Sequence, residues 1–232
     1  MKRGLLVFLA CLSFTHTFSQ YNYYRMAAGG TAGVNTAFAD LSKKIPAPTL
    51  GGSLDFFITP FASLGFEVQK GILSGGDREK DKHHRFFQNN YSSLSFGTKI
   101  HLGQVVDFRN SNFLHAMRHF YMGIGMGVIK NSIKDDKIVR IQPGTGWKFP
   151  GTNSSTDITF PLNTGMNFNI TDRWGYTRYI FNLNYQLNIT AGEGMDGYND
   201  ASFGAPWSNI PDMYGVASFS LKFCFGPQGL YY

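Results

Sequence analysis

Beyond position 20, apolar and polar side chains alternate with a period of two in eight separate runs. The last run is the clearest: Ala217, Phe219, Leu221, Phe223 and Phe225 are separated by Ser218, Ser220, Lys222 and Cys224. The seventh sets Tyr179, Phe181, Leu183, Tyr185, Leu187 and Ile189 against Asn182, Asn184, Gln186 and Asn188. The sixth sets Ile158, Phe160, Leu162, Met166, Phe168 and Ile170 against Thr159, Asn163, Asn167 and Asn169. Pro161 inside it lacks a ladder donor and predicts a bulge. The fifth alternates Met122, Ile124, Met126 and Val128 with glycine, and the fourth carries Leu94, Phe96 and Ile100. Leu64, Phe66, Val68 and Ile72 mark the third, and Leu50, Leu54, Phe56 and Ile58 the second. The first runs from Tyr23 to about Phe38. A strand sends successive side chains to opposite faces, so the pattern predicts eight strands, each with one apolar and one polar face.

The polar face is made of Asn, Ser, Gly, Thr and Gln with isolated charges. The outer face of a soluble sandwich would instead carry many Lys and Glu. A narrow polar lumen inside a lipid-facing apolar band fits these residues; a lipocalin-like barrel would invert the two faces. Connection lengths separate the alternatives. Short links at Thr59-Pro60-Phe61 and around Asp172-Arg173-Trp174 alternate with long polar loops at about 75–88, 132–155 and 191–212. Transmembrane barrels have short periplasmic turns and long external loops. The expected fold is therefore all-β, an eight-stranded antiparallel up-and-down transmembrane β-barrel. Phe61, Trp174, Tyr176, Tyr179 and Phe225 flank the short-turn ends, where an interfacial aromatic girdle belongs. The connection 102–119 is long although it lies on the turn side. Phe113, Leu114 and Met117 are at helical spacing there and predict a short amphipathic helix.

Composition narrows the class further. Charged residues are 16% of the 232, aromatics another 16%, and glycines number 27. So many aromatics exclude a disordered chain. Lys2 and Arg3 precede an apolar stretch from Gly4 to Phe14, and Thr17 and Ser19 are small at −3 and −1 from Gln20. Residues 1–19 read as a signal peptide and 20–232 as the barrel domain. Lipoprotein cleavage before Cys11 is the alternative, with Phe8 where leucine is usual. Export removes Cys11 and leaves Cys224 without an intrachain disulfide partner. No later stretch is apolar enough for a transmembrane helix. The net charge of +6 is too mild to argue for nucleic acid. No phosphate loop, Cys-x-x-Cys or His-Glu-x-x-His pattern points to a cofactor or metal.

The signal ending in Ser19-Gln20, the strand beginning Tyr121-Met122-Gly123, and the strand Pro161-Leu162-Asn163-Thr164-Gly165 followed by Asn169-Ile170-Thr171-Asp172-Arg173 carry a family resemblance. Across the mature chain the sequence resembles Bacteroidetes-type outer-membrane β-barrel domain proteins, which are similar to the OmpA-like eight-stranded barrels. The resemblance implies residence in the bacterial outer membrane, contact with its lipid and lipopolysaccharide, and assembly by the outer-membrane insertion machinery. Terminal aromatics (Phe225, Tyr231, Tyr232) resemble the signal that machinery reads. The family shares no catalytic residues, so the resemblance implies none. The expected role is non-enzymatic, structural or surface-binding. A narrow pore for small solutes and an outer-membrane lipid-modifying enzyme are the alternatives. Against the enzyme, no histidine falls on a lipid-facing strand position; His101 points inward by parity.

Two groups of residues are candidate sites. Parity turns Arg25, Asp55, Glu67, Lys99, Arg178 and Lys222 inward at the periplasmic half, with Asn, Ser, Thr and Gly lining the upper half. Unpaired charges there would be costly, so Arg25–Asp55 and Glu67–Lys99 are expected to pair across neighbouring strands. Together the six form a plug, with an anion or water near Arg178 and Lys222. The second group is the charge run 77–85. Its Arg78, Lys80, Lys82 and Arg85 are candidates for lipopolysaccharide phosphates. His83 with His84, and His115 with His119, are too few for a metal site. Glu193, Asp196, Asp200 and Asp212 in the last loop lack the calcium-loop pattern and read as turn chemistry.

Overall fold

The computed structural model describes residues 21–38, 41, 43–81, 83–108, 111–192, 194–198 and 212–231. The expected signal peptide, Lys82, Glu193, Asp200 and Tyr232 lie outside them.

Nine strands alternate along the described chain: β1 (Tyr21–Phe38), β2 (Lys44–Ile45), β3 (Ala47–Thr59), β4 (Ala62–Gly76), β5 (Phe86–His101), β6 (Phe120–Ile138), β7 (Ser154–Thr171), β8 (Thr177–Thr190) and β9 (Met213–Tyr231). The two-residue β2 adds only a short patch to β4, at Gly75 and Ser74. The other eight form a closed antiparallel ring, each pairing with its neighbours in sequence. β4 pairs with β5 within the ring, and β9 returns to β1 to close it. Closure leaves no long strand with an unpaired edge.

The alternation in the sequence sorts side chains as expected. Large apolar residues on one parity of every long strand face outward, among them Phe66, Val68, Phe96, Ile124, Met126, Leu162, Leu183 and Phe219. Between Tyr179 and Ile189 the outward run of β8 covers about 33 Å along the strand. At a tilt of roughly 40° that is about 25 Å of height, the thickness of a lipid-facing apolar band. Cys224 has the opposite parity and is buried with Tyr23, Ala27, Phe57 and Ile180. Strand β6 continues to Ile138 and β5 begins at Phe86, well past the apolar runs of the sequence. Those extensions stand above the outer band, and there the inward parity becomes apolar.

Three local expectations change. Pro161 makes no bulge: Ile124 faces Leu162 and Gly127 faces Thr159, so the register is the same on both sides of it. The Pro161 ring finds room because Gly125 beside it has no side chain; a Cβ there would lie 3.1 Å from the ring. Register shifts occur instead near strand ends. Gly226-Pro227 bulges opposite Arg25, with Gly226 at φ +87°, and Arg178 is an extra residue on β8. Phe61 is not part of a girdle, because it is fully buried under the 102–119 connection, while Trp174 remains outside at 75% exposure. That connection forms a 3-10 turn at Leu102–Gln104 and a helix α1 (Asn112–Met117), capped at its start by Ser111. Phe113 on α1 is exposed.

Candidate functional site in the barrel lumen

The lumen is filled in layers, each set by inward parity. Nearest the short turns lie Tyr23, Ala27, Phe57, Ile180 and Cys224. Beside them His101 Nδ1 contacts the Phe61 carbonyl at 3.0 Å, and Asn167 Nδ2 lies 2.9 Å from His101 Nε2. Both contacts are satisfied by a neutral ring that donates from Nδ1 and accepts at Nε2. His119 packs at a tilt against Phe61, 5.6 Å between centroids, and accepts from Arg118 Nε at 3.1 Å. Burial and the adjacent guanidinium push its pKa down to about 3. The Arg118 guanidinium also lies 2.7 Å from the His115 ring, so it occupies the space between the two histidines that a metal would need. Among the described residues no group of three or more His, Cys, Asp or Glu could hold a metal ion.

The charged layer comes next. Asp55 is paired with Lys222 and has Lys99 Nζ at 3.9 Å. Both pairs reach over an intervening strand. Lys222 crosses β1 above Gly29, where a Cβ would meet its Cγ at 2.7 Å. Asp55 leans over Gly65 of β4 toward Lys99, and a Cβ at Gly65 would meet Asp55 Oδ1 at 2.5 Å. Glycine on the strand between is what lets charges two strands apart meet. Glu67 accepts from Gln69 Nε2 at 2.8 Å, and the same Gln69 nitrogen donates across the lumen to Gln186.

The structure therefore brings Asp55, Glu67, Lys99 and Lys222 into one lumen region, as two acids and two bases. The expected pairings Arg25–Asp55 and Glu67–Lys99 are replaced by Lys222–Asp55 and Lys99–Asp55. Arg25 is exposed opposite the β9 bulge. Arg178, the extra residue on β8, sits at the rim. It donates to the Tyr24 hydroxyl at 2.6 Å, lies over the Tyr24 and Phe223 rings, and reaches Asp172 at 3.5 Å. The anion expected near Arg178 and Lys222 has no excess charge to answer, because Lys222 is buried against Asp55 and Arg178 faces Asp172.

Beside the charges, with Lys99 Nζ 5.7 Å from the Tyr121 ring centroid, runs a chain of amides. Tyr121 donates to Asn184 Oδ1 at 2.8 Å and accepts from Asn182 at 2.9 Å. Asn182 also donates to Asn167 Oδ1 at 2.7 Å, and Asn184 to Asn163 at 3.1 Å. The upper half is not lined only by small polar residues. Tyr91 and Tyr214 pack at 5.4 Å between centroids, with Leu73, Phe87, Ile129 and Val216 around them, all at most 1% exposed. The Tyr91 hydroxyl lies 2.9 Å from Thr49 Oγ1. These positions lie at the top of the outer apolar band, where Tyr214 faces Asn188 between the outward Leu187 and Ile189, and the outward pattern does not say which inward side chains meet.

The loop end is covered by chain. Asn89 donates to Asn131 Oδ1 at 2.7 Å and to the Met195 carbonyl at 2.8 Å, holding the last loop over the lumen. Tyr198 lies between the Arg85 and Arg140 guanidiniums, 5.5 and 5.8 Å from its centroid, and donates to the Val139 carbonyl at 2.9 Å. Its burial pushes the phenol up to about 12. This clasp joins the loops after β4, β6 and β8. Sequence reasoning missed it, since Tyr198 and Arg140 stand in loops without periodicity. In the 77–85 loop, Arg78 donates to the Asp136 carbonyl at 2.9 Å and stacks on Phe86, Lys80 is exposed, and Arg85 is turned onto Tyr198. Asp77 is paired with Lys43 at 2.9 Å, which draws its pKa down to about 2. Asp196 Oδ1 accepts from the Tyr198 amide at 2.9 Å, an ordinary turn contact.

Residues 4–208 match the model of a family described as outer membrane protein beta-barrel domain. Among solved structures, the chain is similar to Neisserial surface protein A, with 13% identity, a TM-score of 0.49, and 86% of this chain and 97% of that one covered. It is also similar to Ail of Yersinia pestis, solved with the heparin analogue sucrose octasulfate (10% identity, TM-score 0.42, coverage 87% and 99%). OprG of Pseudomonas aeruginosa is a third (10%, 0.40, 88% and 98%). No curated protein matches it in sequence.

Proposed function

Because the chain belongs to the outer membrane protein beta-barrel domain family, we propose that this outer-membrane barrel is non-enzymatic, plugged along its lumen, and works through its fold and its long external loops in a structural or surface-binding role. The observation that carries this reading is the side-chain filling of the lumen above a cavity of about 140 Å³ at the turn end, which Tyr23, Phe57, His119, Ile180 and Cys224 line. The Asp55 charges with the Asn182–Tyr121–Asn184 chain beside them, the Gln69–Gln186 contact and the Tyr91–Tyr214 layer follow one another from turn end to loop end. An eight-stranded ring has an interior just wide enough for its own side chains. The reading includes a signal peptide at residues 1–19, a Bacteroidetes-type lineage, lipopolysaccharide around the wall, and insertion by the outer-membrane assembly machinery.

Planar-bilayer recording of the refolded mature protein tests it. The expected record is a quiet bilayer, and a steady, large conductance would replace the plug with the narrow-pore reading.

A further inference from the structure

We propose that the outer wall over β4–β6 holds a lipid-phosphate site, formed by Lys70 and Lys130 with Ser92 between them, for the phosphorylated glycolipid of the outer leaflet. The proposal rests on the reading that the loop end faces the cell exterior.

Outward residues climb each of these strands in step. Val68, Leu94 and Val128 face one another across the three strands and are about half exposed, and in the two outward rows above them only Ile72 is apolar. The next outward row is Lys70, Ser92 and Lys130. Both lysines are exposed, and neither has an ion pair among the described residues. Their outward neighbours on the same and adjoining strands are Leu50, Ile72, Ser132 and Thr156, none of them acidic. Two interstrand spacings separate the two chains of the pair, about 10 Å. Long flexible stems let both ammonium groups lean to one anion between them, over the Ser92 hydroxyl. This is the height at which an embedded barrel meets lipid headgroups.

The loop cations stand elsewhere. Arg78 stacks on Phe86, six residues further along β5 than Ser92. That is about 20 Å along the strand and roughly 15 Å higher at a 40° tilt. Its guanidinium is already engaged by the Asp136 carbonyl, and Asp77 and Glu79 share its loop. The wall lysines therefore fit lipid phosphate better than the charge run 77–85 does.

The mature barrel, folded in maltoside micelles, is titrated with bisphosphorylated lipid A and with its dephosphorylated form, and bound lipid is counted by native mass spectrometry. Wild type is expected to prefer the phosphorylated lipid. Lys70→Gln with Lys130→Gln should weaken that binding by about five-fold per lysine and leave the dephosphorylated lipid unaffected. Arg78→Gln with Lys80→Gln should change neither. Heat-modifiable mobility checks that each variant is folded, which these exposed positions permit. Equal binding of the two lipids, unchanged binding in the wall variant, or a loss confined to the loop variant overturns the proposal. A separate arm tests the orientation it rests on: Thr145→Cys at an exposed loop position is labelled in intact cells by an impermeant maleimide. Failure of that labelling removes the topology, whereas failure of the lipid titration alone removes only the site.

Discussion

Replacing Asp55 with asparagine removes the carboxylate shared by Lys222 and Lys99. Asp55 is 3% exposed and Lys222 is 6% exposed, so water does not reach the ammonium left behind. Breaking a buried pair by deleting one partner typically costs about 3–5 kcal/mol, most of it the uncompensated charge. Lys99 lies farther from Asp55, at 3.9 Å, and its side chain is 17% exposed, so Lys222 carries most of the cost. With a urea slope of about 2–3 kcal/mol per molar, the unfolding midpoint should fall by roughly 1.5 M. The assay is urea unfolding in micelles, read by the gel shift between folded and unfolded forms. The double variant Asp55→Asn/Lys222→Met takes away the stranded charge and should recover more than half of the loss. Asp55→Asn/Lys99→Met should recover less, and Asp55→Asn/Arg25→Met almost nothing, because Arg25 is exposed opposite the β9 bulge. A single variant within about 0.3 M of wild type would refute the reasoning. So would a double variant no more stable than the single.

Other expectations follow from the same packing. Gly29→Val should destabilise the barrel by about 1–3 kcal/mol, because a Cβ there meets the Leu221 carbonyl at 2.2 Å and the Lys222 side chain; an unchanged urea midpoint would contradict that contact. Cys224 should react with neither a bilayer-confined nor a water-soluble maleimide while folded, since it is buried among Tyr23, Phe57 and Ile180, and should react fully in urea. Ready labelling from the bilayer would mean that the two faces of β9 are exchanged. His119 titrates near 3 in the folded barrel and near 6.5 when unfolded. Between those values the unfolded chain holds a proton the folded one lacks, so stability should decline as pH falls from about 6.5 toward 3. His119→Asn should flatten that decline, measured as the urea midpoint against pH, and an unaltered slope would count against a buried neutral ring.

Much of this molecule is determined by its sequence alone. Strand alternation is a local property: once Phe219, Leu221 and Phe223 share a face, Ser220, Lys222 and Cys224 must share the other. The number of long strands, the outward apolar band and the inward side of Cys224 follow from that, as do the short and long ends from the connection lengths. The six-residue helix in 102–119 was also legible, from the spacing of Phe113, Leu114 and Met117. Only the closed ring decides which inward groups meet. Neighbour-strand reasoning pairs Asp55 with Arg25, but charges two strands apart meet when the strand between carries glycine: Lys222 passes over Gly29 to Asp55, and Asp55 passes over Gly65 toward Lys99. Bulges beside Arg25 and at Arg178 remove both arginines from the cluster, and no alternation pattern reveals a single inserted residue. The Tyr91–Tyr214 layer and the Tyr198 clasp were equally hidden. They join Tyr91 to Tyr214 and Arg85 to Tyr198, each more than a hundred positions apart, at the loop end, where proximity arises only from barrel closure.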